Sequence, residues 1–257
     1  MEFDITLNVI LISMVAFFFA GFIDSVAGGA GFITVPSLLL LGIPPHFTLG
    51  TGKLATSIGS VTASYVFWKN GMVVNKLVPV GVLTAALGAI SGASIALHLD
   101  SSMMGKVIVI MLPLAIILTS CTGGFSLSEG ELPKEHFWLK AVLIGYTIGL
   151  YEGFFGPGAG TFFTIALHVV MKMNMVKASG TAKLFNIAAN FGAFCTFATE
   201  ASVLYAVAIP CAVASMIGNT VGAHFAVKVG AKFVRNIMFV VLAIMKGSLA
   251  YKYFFAA

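Results

Sequence analysis

Apolar residues run along this chain in long blocks, broken by glycine, proline and small clusters of charge. Breaking the sequence at those points predicts ten apolar segments, near 7–26, 31–42, 48–68, 77–97, 103–122, 137–155, 161–171, 178–198, 202–226 and 233–255. Leu7–Val26, Val107–Thr122 and Phe233–Phe255 are the long, largely apolar runs that helices need to cross about 30 Å of hydrocarbon. A membrane β-barrel would alternate apolar and polar positions in short segments, and no such alternation is visible. Away from water, helices are then the remaining way to satisfy the backbone amides. The pattern predicts an all-α integral membrane protein.

Segments two and seven are too short to cross. About 12 residues at 1.5 Å each reach roughly 18 Å, little more than half a bilayer. Each follows a glycine cluster: Gly28-Gly29-Ala30-Gly31 before segment two, Gly156-Pro157-Gly158-Ala159-Gly160 before segment seven. Such clusters break helices and let backbones approach closely. Segments one with two, and six with seven, therefore read as Gly-broken helical hairpins, of re-entrant form if their bends lie inside the membrane.

The two halves repeat each other. Gly50-Thr51-Gly52-Lys53-Leu54 returns as Gly180-Thr181-Ala182-Lys183-Leu184, an offset of 130, and Gly88, Gly92 and Ala93 return as Gly218, Gly222 and Ala223. Gly29-Ala30-Gly31 matches Gly158-Ala159-Gly160 at 129, and Asp24 matches Glu152 at 128. The polar stretch 123–136 divides an N-terminal repeat, 1–122, from a C-terminal repeat, 137–257, within one membrane domain. Loops after segments three, five, seven and nine hold nine Lys and Arg residues, from Lys69 to Arg235, against Lys106, Lys252 and the inset Lys246 on the other side. That bias places those loops in the cytoplasm and both termini outside. Five segments per half is an odd number, so the second half is expected to be inverted.

Composition narrows the function classes. Of 257 residues, 59% are hydrophobic and only 9% charged, too few to build a solvated surface. A soluble enzyme, a nucleic-acid binder and a disordered chain are excluded, and the net charge of +5 reflects loop topology. The start, Met1-Glu2-Phe3-Asp4, is acidic where a secretory signal needs a basic region, so the first segment is expected to be retained.

An inverted repeat with broken segments in matching positions is the signature of a secondary transporter. Helices starting near Gly31 and Thr161 would turn unpaired N–H groups and a positive dipole end inward, which makes an anion site without a charged side chain. The plainer alternative, tight helix packing, suits the mid-helix pairs Gly88/Gly92 and Gly218/Gly222. Lys53 and Lys183 lie about a turn and a half inside their segments. Snorkelling would explain either alone, but their recurrence in one frame favours a role toward an anion or an acid. Two roles are open to Asp24 and Glu152: ion-pair partners of a lysine from the neighbouring segment, or proton carriers.

Other chemistry finds no frame. The five histidines and the cysteines Cys121, Cys195 and Cys211 have no metal-ligand spacing. Gly-Thr-Gly-Lys around Lys53 lacks the earlier glycine and the Ser/Thr of a phosphate loop, and the Gly28–Gly31 cluster lacks a preceding strand. No nucleophile–base pair is recognisable, so no catalytic residue, metal or cofactor is expected.

Two motifs resemble a known family. Ala20-Gly21-Phe22-Ile23-Asp24-Ser25-Val26-Ala27-Gly28-Gly29-Ala30-Gly31 with Lys53-Leu54, and Tyr151-Glu152-Gly153-Phe154-Phe155-Gly156-Pro157-Gly158-Ala159-Gly160-Thr161-Phe162 with Ala182-Lys183-Leu184-Phe185-Asn186, are similar to the paired motifs of the TauE/SafE sulfite-exporter family, nearest its YfcA-like branch. The resemblance runs from about 15 to 250. It implies a permease or exporter of the bacterial inner membrane that moves sulfite, sulfonates or related small organic anions, coupled to protons or another ion. Carried onto this chain, the substrate-binding set is Ser25, Gly28, Gly29, Gly31, Thr51, Lys53, Gly156, Gly158, Gly160, Thr161, Thr181, Lys183 and Asn186, with Asp24 and Glu152 for coupling or salt bridging. The chain departs from the branch at Glu152, where Asp is common, and at Gly50-Thr51-Gly52-Lys53, where Ala-Thr-Asn-Lys is frequent. The competing reading is a passive anion channel, which the same dipole-lined cavity would support.

Overall fold

A computed structural model describes residues 5–121, 132, 133 and 135–229. Among the described residues there are nine α-helices and no strand: α1 Leu7–Ala27, α2 Gly31–Leu40, α3 Pro45–Lys69, α4 Val78–Leu97, α5 Ser101–Cys121, α6 Phe137–Phe154, α7 Ala159–Val170, α8 Met175–Thr199 and α9 Tyr205–Val229. They fill the first nine predicted segments. The tenth, and most of the expected linker, lie outside the described residues.

Leu7–Ser25, Val78–Leu97 and Tyr205–Lys228 are long and apolar enough to cross a membrane. α2 and α7 are not, with 10 and 12 residues, or about 15 and 18 Å. Two helix starts correct the sequence reading. α3 begins at Pro45, a residue that costs no hydrogen bond in a first turn, and α8 begins after Asn174, whose Oδ1 accepts from Val176 N–H at 2.8 Å. Both gain most of a turn, so Lys53 and Lys183 stand roughly two turns inside their helices rather than one and a half.

Packing follows side-chain size. Leu11, Val15 and Phe19 on α1, Leu83 and Leu87 on α4, and Ile209, Val213 and Ile217 on α9 are exposed, while Ala85, Ala89 and Ala93 are buried. Large apolar groups outside and small ones inside is what lipid solvent and close helix packing require. α4 lies along α6 and α1 along α9. A Cβ on Gly88 or Gly92 would run into the carbonyls of Tyr146 or Leu150, and one on Gly218 or Gly222 into those of Phe18 or Phe22. These glycines permit helix contact.

α3 and α8 are the central pair. α3 packs on α8 and α9, and α8 on α3, α4 and α7. Enclosure on these sides is why they carry the buried polar residues: Thr51, Lys53, Ser57 and Ser60 on α3, and Thr181, Lys183, Asn186 and Asn190 on α8.

Candidate functional site

The two glycine breaks meet each other. α1 ends at Gly28, at φ +67°, whose N–H donates to the Asp24 carbonyl at 2.8 Å. α6 gives way to Gly156 and Gly158, at φ +102° and +87°. Such angles are open to glycine and costly for other residues. A Cβ on Gly31 would lie 2.7 Å from Pro157 Cα, and one on Gly160 3.1 Å from Gly28 Cα. Thr161 Oγ1 donates to the Gly28 carbonyl across the same contact.

The N-termini of α2 and α7 therefore come together. Within α2 the N–H groups of Phe32, Ile33 and Thr34 use the Gly29 and Ala30 carbonyls. Among the described residues no hydrogen bond is donated by the N–H of Ala30, Gly31, Gly158 or Gly160. These are the orphan donors of helix starts, and they carry the positive end of the dipole.

Two ion pairs cross between the halves. Lys53 Nζ on α3 reaches Glu152 Oε1 at 2.5 Å and also donates to the Glu152 carbonyl. Lys183 Nζ on α8 reaches Asp24 Oδ2 at 2.8 Å and likewise donates to the Asp24 carbonyl. All four residues are nearly sealed from solvent, at 5%, 4%, 3% and 3% exposure for Lys53, Glu152, Lys183 and Asp24. Asp24 gains two more donors, Gly29 N–H at 3.2 Å and Ser60 Oγ at 3.0 Å. Both acids are ion-paired, but the expected partner is corrected: each takes the lysine of the other half of the chain and not one from its neighbouring segment, because α3 and α8 face the breaks of the opposite half.

One cavity of about 40 Å³ joins these parts. Gly29, Gly31, Gly156, Gly158 and Gly160 line it, with Lys53, Asn186, Asp24 and Glu152. Since roughly 10–15 Å³ of such space holds one water, the room suits a small ion and little more. The remaining proposed contacts stand outside the lining. Lys183 is turned to Asp24, Ser25 Oγ donates to the Phe22 carbonyl at 2.9 Å, and Gly28 and Thr161 bond each other behind the wall.

Thr51 and Thr181 hold loops. Leu204 N–H donates to Thr51 Oγ1, and Val74 N–H to Thr181 Oγ1, each at 3.0 Å. Beside them Gly50 faces the Ser202 carbonyl and Gly180 the Met72 carbonyl. Every contact in this set has a counterpart 130 positions along the chain, with the halves exchanged.

Three lining features escaped sequence reasoning. Thr56 Oγ1 donates to Asn190 Oδ1 at 3.2 Å, and Asn190 Nδ2 to Asn186 Oδ1 at 3.0 Å, which ties α3 to α8 over the cavity. Gly52 also lines it, with open space where a Cβ would stand. The signal was present as polar residues at helical spacing, Lys53–Thr56–Ser60 and Asn186–Asn190. Among the described residues no group of three or more His, Cys, Asp or Glu is placed to hold a metal.

Comparison with known proteins gives this arrangement its context. The family model described as "Sulfite exporter TauE/SafE" matches residues 13–249. The chain is 33% identical to "Probable membrane transporter protein ORF9" of Sinorhizobium sp, over 93% of this chain and 91% of that one. It is 31% identical to "Probable membrane transporter protein YfcA" of Escherichia coli K12, over 90% and 86%. It is 27% identical to "Probable membrane transporter protein YdhB" of Bacillus subtilis, over 84% and 89%. No solved structure matches the chain.

Proposed function

The chain belongs to the sulfite exporter TauE/SafE family, and from that premise we propose that it is a secondary transporter of small oxyanions: sulfite, sulfonates or related organic anions. The observation that carries the reading is the meeting of two half-length helix starts, with four N–H groups that donate to no acceptor among the described residues, at a cavity that Lys53 also lines. Fixed donors at helix N-termini suit an anion, and the small volume suits an oxyanion headgroup. Helical dipoles converging from two broken elements are the usual construction of a transporter's midplane site.

The same reading takes the chain as an inverted repeat with re-entrant hairpins at α2 and α7. Its support is reciprocity: Thr51 holds Leu204 as Thr181 holds Val74, and Lys53 meets Glu152 as Lys183 meets Asp24. Exchange of partners at offsets of 128 to 130 is what a two-fold axis between repeats produces, and an odd number of segments per half would lay that axis in the membrane plane. Alternating access would then rock the halves about the cavity, with both termini outside the bacterial inner membrane and the Lys-rich loops inside.

A thermal-shift screen of the purified protein against sulfite, thiosulfate, sulfonates, carboxylates and cations tests the substrate class. Stabilisation by oxyanions alone, with saturable counterflow in proteoliposomes, is the expected result. Large unitary currents would move the assignment to the passive anion channel.

A further inference from the structure

The two ion pairs match by sequence position and differ by structural surroundings. Lys183 points away from the cavity, and its acid is clamped by a backbone N–H and by Ser60 besides the lysine. Lys53 and Glu152 both face the cavity. A Cβ on Gly156 would overlap Lys53 Nζ and stand 3.3 Å from Glu152 Oε1, so this pair occupies the space that a bare glycine leaves open. Besides Lys53, the carboxylate of Glu152 is met by Asn190, a neutral amide.

The charged groups around Glu152 are few. α3 contributes Lys53, and α1 contributes Asp24 across the cavity. α4 carries no ionisable side chain, and on α7 His168 is turned to the Met173 carbonyl. On α8, Lys183 is bound to Asp24. Two lysines and two acids leave the site with no net charge, and an anion brought into a neutral, low-dielectric cavity is strongly opposed unless a positive charge accompanies it.

We propose that Glu152 is the coupling acid: a proton taken from the loading side frees Lys53 from its carboxylate, Lys53 binds the anion, and proton and anion leave together while the pair closes again. The balance is one proton for each anion moved, so a monoanion such as methanesulfonate crosses without net charge and the thiosulfate dianion carries one negative charge with it; no bond is made or broken except that of the proton. Asp24–Lys183 stays locked throughout and holds the α1 end of the site. This assignment rests on the transporter reading above and names the residue through which that transport is driven.

The test uses proteoliposomes of the purified full chain, with thiosulfate and methanesulfonate as probes. Both are fully ionised at neutral pH, so any proton that moves with them is carried by the protein. Wild type is expected to show anion influx accompanied by internal acidification. Glu152→Gln should keep anion-for-anion counterflow but lose the acidification and the dependence on a pH gradient. Lys53→Met with Glu152→Gln leaves no lone buried charge, so it assembles even if the single variant does not; it should lose counterflow as well. Acidification that persists in either variant overturns the assignment, as does its loss in Asp24→Asn with Glu152→Gln still coupled. Wild-type vesicles that move neither probe would overturn the transporter reading itself, and the coupling assignment with it.

Discussion

The backbone N–H of Leu204 donates to Thr51 Oγ1 at 3.0 Å, which ties the start of α9 to a point inside α3. The matching bond from Val74 to Thr181 ties the α3–α4 loop to α8. If the proposed sidedness holds, these latches close opposite ends of the cavity. Thr51→Val should cost about 1 kcal/mol, as a lost hydrogen bond does, and so should Thr181→Val. Melting in detergent measures that cost. Side-selective labelling of a cysteine introduced at Gly52, in a chain freed of its own cysteines, should rise from one side in the first variant and from the other in the second. Equal changes from both sides would show that the latches do not act separately.

Gly52 separates binding from folding. A Cβ there meets nothing within 4 Å, yet the residue lines the cavity. Gly52→Ala should melt like wild type and bind oxyanions more weakly, by thermal shift or calorimetry. Gly31→Val is expected to fail differently, because its Cβ would lie 2.7 Å from Pro157 Cα and force the two breaks apart. A well-folded Gly31→Val protein with intact anion binding would refute the site.

The Asp24–Lys183 pair should behave as a buried lock. Lys183→Met leaves Asp24 as a charge without its cation, at a cost of about 3–5 kcal/mol. Asp24→Asn combined with Lys183→Met should regain most of that loss. Unfolding of the two singles and the double completes the cycle, and additive losses would mean that the pair contributes nothing as a pair.

Topology is open to direct measurement. Lys69→Cys and Lys172→Cys, both exposed, should be labelled only from the cytoplasm, and Glu200→Cys only from outside. Labelling of all three from one side would rule out inversion of the second half.

The order and type of the helices were legible because apolar runs, glycine and proline act locally. The breaks at Gly28–Gly31 and Gly156–Gly160 were legible for the same reason. Partners were not, since Lys53 and Glu152 lie 99 positions apart and meet only through the facing of whole helices. Recurrence marked Thr51 and Thr181 as special but gave no hint that each would grip a loop of the opposite half. Asn190 and Ser60 were passed over because polar residues at helical spacing mark a shared face without saying what that face meets. The starts of α3 and α8 were misplaced because Pro45 and Asn174 were read as loop residues, when one begins its helix and the other caps it.

The crossing of both buried ion pairs from one half to the other bears on how the protein is made. When α1 and α3 first enter the bilayer, Lys183 and Glu152 have not yet been synthesised, so Asp24 and Lys53 arrive without counter-ions. The early helices must either wait near the headgroups or lodge against the insertion machinery until α6 and α8 emerge. A truncated chain ending near residue 122 should accordingly be degraded rather than accumulate, whereas the two halves made as separate polypeptides in one cell should rescue each other.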